Sequence, residues 1–551
     1  MKKSVDKIFT NGTIYTLEAE GVIKEALCVK NGRIVFVGST ADALAEYESS
    51  EIIDLQGKVM LPGMGDSHLH FFAYCQSFTT VNVGDAKTKA QAMDMIRQRA
   101  QETPEGEWIK ATNFDQSKWS DCEDVLPTKE DLDAVSTKHP IVLKRVCLHT
   151  AIANSMALEV AHIGKDFDFG PGGVVELRED GTPNGILREQ ATKIFDEIMP
   201  DPAKVPETKR KIMLKALDEA ARDGITALHT YAAEIWRYTE DIEDYEQLDR
   251  EGKLPLRVTI YLDKLFNKPF VTKKEMEDPF RTVQYGGLKI FCDGSLGSRS
   301  AKLFEPYDDD PGNTGILVQT QEELNEKVLK GYEQVQQVAI HCIGDKGLDC
   351  VLTAIEYALA ETKKKGMTER EQWNKLPFRV IHAQMANPEL IERMTKLPII
   401  LDLQPTFLMT DLHWIEDRIG EKRARNSYQW KTYQDRGLKI LGGSDCPVEN
   451  FSPWIGIYAA VARQDMNQYP PQGYHPEEKL SVYDAVCMYS KNVHYATGQE
   501  DYLGTLEVGK FADMVVIDRN VFEIPEPEIL QVQVENTYLA GREVYSRAAQ
   551  A

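Results

Sequence analysis

Helical stretches alternate with short apolar strands through the middle of the chain, and this alternation limits the fold more than any other feature. The helical pattern of residues 207–221 stops at Gly224, and the apolar run 225–228 follows. The same order recurs three times, in residues 322–340, 387–401 and 433–441. Strands that alternate with helices of about 10–15 residues indicate parallel β/α units. The number of units predicts an α/β fold built on a (β/α)8 TIM barrel, although the rhythm alone also allows an open doubly wound sheet.

The two ends of the chain have a different character, with hairpin signals and β-favouring runs. Asn11-Gly12 and Asn31-Gly32 each lie between such runs, which is a strong signal for a β-hairpin. Residues 512–518 repeat this character near the C-terminus. We therefore expect both ends to form one small β-sandwich, and a Gly-, Pro- and Asp-rich insertion to lie over the barrel mouth. The predicted divisions are 1–61 and 502–551 for the sandwich, 62–104 and 201–501 for the barrel, and 105–200 for the insertion.

The composition excludes several classes of function. The chain has 551 residues, of which 42% are hydrophobic and 27% are charged, as in ordinary globular proteins. Its 64 Lys and Arg residues against 87 Asp and Glu residues give a formal net charge of −23, which disfavours nucleic-acid binding. We see no signal-peptide pattern, no apolar run of about 18 residues, and no CxxC pair among the 9 cysteines. We therefore expect a cytoplasmic protein that associates with neither nucleic acid nor membrane.

Potential metal ligands recur where the predicted strands end. His68 and His70 form an H-x-H pair, and residues two apart on an extended segment point to the same side. His341, His382 and Asp445 each follow a short apolar run in a later β/α unit. In a barrel these positions converge at the C-terminal mouth, where the catalytic residues of this fold lie. Imidazole and carboxylate groups bind divalent metals, so the sequence predicts a metal site.

Several phrases of the sequence resemble a known family. The H-x-H pair follows a Leu-Pro-Gly, and the other phrases are residues 287–299, 341–345, 443–448 and 503–515. Together they resemble the YtcJ-like (amidohydrolase-3) group of the amidohydrolase superfamily of metal-dependent hydrolases, a group that includes N-substituted formamide deformylases. The last phrase is similar to the strand pair that closes the small β-sandwich in many amidohydrolases. The resemblance covers essentially the whole chain.

This resemblance implies a site for one or two divalent metal ions. It assigns the more buried ion to His68, His70 and Asp445. It assigns the second ion to His341 and His382. Lys289 matches the lysine that the family commonly carboxylates with carbon dioxide to bridge two ions. Carboxylation suits such a site because a carbamate attracts the cations, whereas an ammonium group repels them. An unmodified Lys289, at the surface or in a salt bridge, stays an alternative. The ligand set suits zinc first, followed by iron, manganese or nickel.

The implied chemistry is hydrolysis by metal-activated water. Asp445 would take the proton from the attacking water and deliver it to the departing amine. The resemblance implies a hydrolase that cleaves a non-peptide C–N bond of a small-molecule substrate, in an amide, N-acyl amine or N-formyl amine. It also implies a homodimer, since dimers are common in the superfamily. Deamination of a ring or amidine carbon stays an alternative, as does a catalytically inactive scaffold, although the presence of every predicted ligand disfavours the scaffold.

Five further residues are candidates for substrate binding. His149 lies in the predicted insertion, and either a place in the substrate pocket or a structural place in a loop is open for it. His229 follows the apolar run 225–228, so it is expected at a strand end, where substrate contact and packing are both open. Asp293 and Arg299 flank a Gly-Ser-Leu-Gly turn and would orient the substrate or brace the loop of the candidate carboxylated lysine. Arg463 would act in the same way.

Overall fold

The computed structural model describes residues 1–122, 125–145, 149–201, 204–232, 242–265, 273–334 and 337–549. The chain divides into two compact units. Unit 1 comprises Met1–Phe72 and Ala216–Ala551, and unit 2 comprises Ala73–Lys215. Unit 2 therefore includes residues that the sequence pattern assigned to the start of the barrel.

The main sheet of unit 1 has eight strands among the described residues, which we number in chain order. They are β1 (Met64–Leu69), β2 (Ile225–Ala232), β3 (Arg257–Leu262), β4 (Val283–Phe291), β5 (Gln337–Cys342), β6 (Phe378–His382), β7 (Ile399–Leu403) and β8 (Ile440–Gly442). Each strand pairs in parallel with the next. This sequential order confirms the predicted barrel and excludes an open doubly wound sheet, whose strand order would reverse.

Backbone hydrogen bonds nearly close the barrel where β8 approaches β1. The Asp445 N–H donates to the His68 carbonyl at 2.7 Å, and the His70 N–H donates to the Cys446 carbonyl at 2.8 Å. A Cβ on Gly443 would lie 2.7 Å from the His68 nitrogen, so this approach requires a glycine. The closure therefore joins two of the segments that carry predicted metal ligands.

The barrel strands are buried on both faces because helices cover their outer side. Every residue of β2 and β3 is buried. The helix before β5 spans Gln321–Glu333 and begins with a capping box between Thr320 and Glu323. It ends earlier than the sequence pattern suggested, since Gln337 and the residue after it belong to β5.

The helices of unit 1 follow the strands along the chain. They are Thr40–Glu46, Ile242–Arg250, Lys273–Met276, Gln321–Glu333, Asp345–Lys364, Glu369–Trp373, Pro388–Met394, Pro405–Asp411, Ile415–Ala424, Trp430–Asp435, Pro453–Ala462, Val482–Met488 and Lys491–Ala496. Two more helices, Phe71–Ser77 and Pro206–Arg222, each contain a position at which the chain passes from one unit to the other.

Strands from both chain ends form the smaller sheets of unit 1. A six-stranded sheet has the order Arg542–Ser546, Val534–Leu539, Met514–Ile517, Val59–Pro62, Thr13–Tyr15, Ile23–Lys24. A four-stranded sheet has the order Arg33–Gly38, Ala26–Lys30, Lys7–Thr10, Ile52–Asp54, and Lys3–Ser4 pairs with Tyr47–Glu48. A buried ion pair ties this region to the barrel, because Arg257 of β3 donates to both carboxylate oxygens of Asp513 at 2.7 and 2.9 Å.

Unit 2 has its own sheet and its own apolar core. The strand order is Thr80–Asn82, Ile109–Phe114, Ile141–Arg145, Thr150–Ala153, Pro183–Glu189, Gly173–Leu177. The helices of this unit are Lys89–Glu102, Lys129–Asp133, Ser155–Val160 and Ile194–Ile198. In the part of the chain that the structure describes, no helix combines the length and the apolar composition that crossing a membrane requires.

Candidate metal centre

The barrel gathers six predicted ligands at the C-terminal ends of its strands. They are His68 in β1, His70 directly after β1, Lys289 in β4, His341 in β5, His382 at the end of β6, and Asp445 after β8. The ring centroids of His68 and His382 are 5.5 Å apart, and those of His341 and His382 are 4.5 Å apart. These residues come from distant parts of the sequence, so it is the barrel that makes them one site.

Asp445 and His382 lie at the centre of the cluster. Asp445 Oδ1 is 3.1 Å from His68 Nε2 and 3.2 Å from His70 Nε2. His382 Nε2 is 2.9 Å from His341 Nδ1. One ligand atom from each of His68, His382 and Asp445 falls within 4.8 Å of the other two. The distances leave room for a cation with several protein ligands.

Fixed acceptors determine which ring nitrogen carries the hydrogen in three of the histidines. His70 Nδ1 lies 2.7 Å from the Tyr231 carbonyl, and His341 Nε2 lies 3.1 Å from the Gly294 carbonyl. A carbonyl oxygen only accepts, so each of these nitrogens carries a hydrogen. His382 Nδ1 lies 2.6 Å from Gln404 Oε1, which also accepts. In the neutral rings, the lone pairs therefore belong to His70 Nε2, His341 Nδ1 and His382 Nε2.

These lone pairs face other acceptors, and that arrangement fits a metal ion. The lone pairs of His341 Nδ1 and His382 Nε2 point toward each other across 2.9 Å, and neither nitrogen has a hydrogen to donate. The lone pair of His70 Nε2 faces Asp445 Oδ1 in the same way. Two acceptors at such distances repel unless a cation or a proton lies between them, and neutral imidazole with carboxylate is a divalent-metal donor set. The residues present therefore fit the metal that the sequence predicts.

Lys289 is buried at this cluster without a conventional partner. Its side chain is 2% exposed, and among the described residues its Nζ has no hydrogen-bond acceptor. The ammonium position is 4.8 Å from the ring centroid of Tyr231 and 4.9 Å from that of Phe291. Burial lowers the pKa of Lys289 to about 7, against the opposing effect of the Asp445 carboxylate. A neutral amine is thus accessible near neutral pH, as carboxylation by carbon dioxide requires.

Burial also keeps His68, His341 and His382 neutral while Asp445 stays ionised. Burial is the main reason that the pKa values of His68 and His341 lie well below 6.5 and that of His382 is lowered to about 4. Burial opposes the ionisation of Asp445, but the carboxyl stays ionised, with its pKa well below 3.8, and His68 Nε2 at 3.1 Å contributes to this lowering. Neutral imidazoles and an ionised carboxylate are the protonation states in which these side chains bind metal.

A fully buried ion pair lies in the barrel interior below the cluster. Neither Arg379 nor Asp402 exposes its side chain, and the guanidinium donates to Asp402 and to the Ser67 carbonyl. It also donates to His229 Nδ1 at 2.9 Å and to the Tyr261 hydroxyl at 2.8 Å. The strand-end position predicted for His229 is wrong, because β2 continues to Ala232 and His229 lies within it. His229 is buried and bonded to Arg379, as part of the interior framework, and its predicted role in substrate binding stays a prediction.

Asp66 joins the two segments that carry His68 and Asp445. Its Oδ1 accepts hydrogen bonds from the His68 N–H at 2.9 Å and the Ser444 N–H at 3.2 Å. Its Oδ2 accepts from the Ser444 hydroxyl at 2.5 Å. Asp66 is 1% exposed, and burial raises its pKa to about 7. The sequence analysis did not select this residue, although its position two residues before His68 places it on the same face of the strand.

The other predicted substrate-binding residues have well-defined surroundings. The buried Asp293 accepts from the backbone N–H groups of residues 302, 343 and 344, lies 3.6 Å from His341 Nε2, and has a pKa raised by burial to about 7. Arg299 donates twice to Asp309, at 3.0 and 2.8 Å. The fully buried Arg463 donates to the carbonyls of residues 474 and 428. These contacts brace the fold, and the predicted roles in substrate binding stay predictions.

His149 belongs to unit 2 and is largely exposed. Its Nδ1 lies 2.9 Å from Glu189 Oε2, and 69% of its side chain is accessible. Its role in substrate binding also stays a prediction. Cys147 lies outside the described residues. Burial raises the pKa of Cys446 well above 9.0, which leaves this thiol a poor nucleophile beside Asp445.

Comparison with known proteins places the chain in a family. A model of the amidohydrolase family matches residues 51–545. The chain is 32% identical to YtcJ of Bacillus subtilis (strain 168), a protein named as an amidohydrolase, over 98% of this chain and 99% of that protein. It is 25% identical to the N-substituted formamide deformylase of Arthrobacter pascens over 99% of both chains. The solved structure of an uncharacterized metal-dependent hydrolase from Pyrococcus horikoshii superposes on this chain with a TM-score of 0.71. The two sequences are 26% identical, and the match covers 94% of this chain and 99% of that chain. As the resemblance predicted, this chain belongs to the amidohydrolase family.

Proposed function

We propose that this chain is a metal-dependent hydrolase that cleaves a non-peptide C–N bond in an amide, an N-acyl amine or an N-formyl amine. The observation that carries the proposal is the cluster of acceptor atoms around Asp445 Oδ1 and His382 Nε2, which calls for cations. The family and its metal-dependent relatives support hydrolysis, and the deformylase relative supports the class of bond.

The proposed site holds two divalent ions, with zinc as the first candidate. His68, His70 and Asp445 would hold one ion. His341 and His382 would hold the other. Lys289, carboxylated by carbon dioxide, would serve both, since its buried amine lacks an acceptor among the described residues. Bound ions of this kind lower the pKa of water to about 7 and polarise a carbonyl group.

Asp445 is the proposed proton carrier of the reaction. Its carboxylate is ionised at neutral pH because its pKa lies well below 3.8, so it can accept a proton from the attacking water. The water oxygen bonds to the carbonyl carbon, the C–N bond breaks, and Asp445 returns the proton to the departing nitrogen. The products are a carboxylic acid and an amine, and the carboxylate of Asp445 is restored.

The test is turnover of simple N-formyl and N-acyl amines by protein reconstituted with zinc and bicarbonate, followed by release of the amine. Asp445→Asn should reduce turnover by roughly 10²- to 10⁴-fold, the usual contribution of a general acid–base group. His162→Ala is the matched control, since this exposed histidine lies in unit 2 and outside the cluster.

Other outcomes would overturn parts of the proposal. Release of ammonia from a ring or amidine substrate, with no cleavage of acyl amines, would favour deamination. Failure of the metal-loaded protein to turn over either class would favour an inactive scaffold. Equal activity of Asp445→Asn and the unaltered protein would refute the role of Asp445.

A further inference from the structure

Gln404 connects the end of β7 to His382. It directly follows β7, its side chain is 4% exposed, and its Oε1 lies 2.6 Å from His382 Nδ1. The other end of the amide, Nε2, donates to the Asp402 carbonyl at 3.0 Å. Gln404 is therefore a buried side chain with both ends of its amide occupied.

The Asp402 carbonyl determines which way this amide points. A carbonyl oxygen only accepts, so the end of the amide that faces it must be the NH₂ group. The oxygen of Gln404 then faces His382 Nδ1 and can only accept. His382 must consequently carry its hydrogen on Nδ1, which leaves the lone pair on Nε2, the atom that faces His341 Nδ1 at 2.9 Å.

Gln404 differs from the groups that orient the neighbouring ligands. The rings of His70 and His341 are fixed by backbone carbonyls, those of Tyr231 and Gly294. Among the described hydrogen bonds that fix the protonated nitrogen of these three rings, only that of His382 has a side-chain acceptor, because Asp293 Oδ1 lies 3.6 Å from His341 Nε2, beyond hydrogen-bond distance. Substitution can remove this acceptor without altering the backbone.

We infer that Gln404 is a positioning residue, which sets the hydrogen position of His382 and thereby the affinity of the site shared by His341 and His382. This inference rests on the proposed metal centre. Partners of this kind typically contribute 10- to 100-fold to metal affinity, because they fix the orientation and the protonated nitrogen of a ligating imidazole. Removing the acceptor should weaken one of two metal-binding steps and leave the step at His68, His70 and Asp445 unchanged.

The test combines spectroscopy of metal-free protein with zinc titration. Histidine-selective ¹⁵N labelling and two-bond ¹H–¹⁵N spectra identify the protonated nitrogen, and the His382 signal is assigned by its loss in His382→Asn. We expect hydrogen on Nδ1 in the unaltered protein and a mixture of both forms in Gln404→Leu. In zinc competition with a chromophoric chelator, Gln404→Leu should lose about 10- to 100-fold in one binding step.

Two further variants separate orientation from packing. Gln404→Glu keeps an oxygen acceptor for Nδ1–H, so it should retain the hydrogen position and the affinity. Gln429→Leu removes another buried amide, one that donates to the carbonyls of Ala386 and Asn426, and should leave both zinc steps unchanged.

The outcomes distinguish this inference from the proposed function. If the unaltered protein carries the hydrogen on Nε2 of His382, or if Gln404→Leu binds zinc as the unaltered protein does, the role of Gln404 is refuted while the hydrolase proposal stands. If Gln404→Leu does not fold, the role of Gln404 is decided by two other results. These are the position of the hydrogen on His382 in the unaltered protein, and the hydrogen position and zinc affinity of Gln404→Glu. If the unaltered protein binds no zinc, the metal centre itself is refuted, and this inference with it.

Discussion

The low pKa of Lys289 leads to a quantitative prediction about carboxylation. At pH 7, a pKa of about 7 leaves about half of the Lys289 amines neutral, whereas the ordinary value of 10.5 leaves roughly 0.03%. Only the neutral amine reacts with carbon dioxide. Burial at the base of the cluster therefore raises the reactive fraction by roughly three orders of magnitude.

The sign of the pH dependence follows from the direction of this shift. Because the pKa is lowered, the amine is neutral above about pH 7 and becomes protonated as the pH falls. Metal-free protein should therefore form the carbamate at pH 8 and lose most of it by pH 6, where the neutral fraction of Lys289 is roughly one tenth. A lysine with the ordinary pKa would stay almost entirely protonated over this range.

The assay is ¹³C NMR of the metal-free protein with ¹³C-bicarbonate between pH 6 and 8. A carbamate signal should be present in the unaltered protein and absent in Lys289→Met. Lys439→Met is the matched control, because burial also lowers the pKa of Lys439, which lies just before β8, and this variant should keep the signal. An unaltered signal in Lys289→Met, or none in the unaltered protein at pH 8, would refute the reasoning.

Three further predictions concern the framework and the surface. Arg379→Met should lower the free energy of unfolding by about 3–5 kcal/mol in chemical denaturation, because it leaves the fully buried Asp402 without its charge partner. The double variant Arg379→Met/Asp402→Leu should recover part of this loss. A double variant whose loss equals the sum of the losses of the two single variants would contradict the explanation. Gly443→Ala should reduce the metal content measured by elemental analysis, because its Cβ would lie 2.7 Å from the His68 nitrogen; full metal content with unaltered stability would argue against a close approach of β8 to β1. His149→Ala should change the free energy of unfolding by less than about 0.5 kcal/mol and leave the metal content intact, since its largely exposed ion pair with Glu189 contributes little to stability. A larger destabilisation would show that this ion pair matters to the fold.

The residues of the proposed metal centre could be selected from the sequence because their chemistry and their strand-end positions are both local features. His341 and Asp445 each stand beside a short apolar run, and the order of the runs along the chain is the order of the barrel strands. The strands at the two chain ends could also be predicted, since Asn-Gly turns between β-favouring runs are local signals. The sequence therefore indicated the barrel, the small sheets and the residues that the barrel gathers.

The residues beneath and around the ligands could not be predicted in the same way. Arg379 and Asp402 lie within β6 and β7, where a sequence pattern gives no reason for a buried charge until the barrel brings the two strands together. Gln404 directly follows β7, close to a strand end like His382, but its role depends on the direction of its amide, which only the Asp402 carbonyl reveals. The extent of β2 was misjudged at His229 because a polar residue in a barrel interior resembles a strand end.

The metal content of the purified protein tests the central claim most directly. Elemental analysis of protein prepared without chelators, and of metal-free protein reconstituted with zinc and bicarbonate, should give about two divalent ions per chain. His341→Ala should lower this to about one ion, since His68, His70 and Asp445 remain to hold the other. Absence of bound metal from the unaltered protein after reconstitution would contradict the proposed hydrolase.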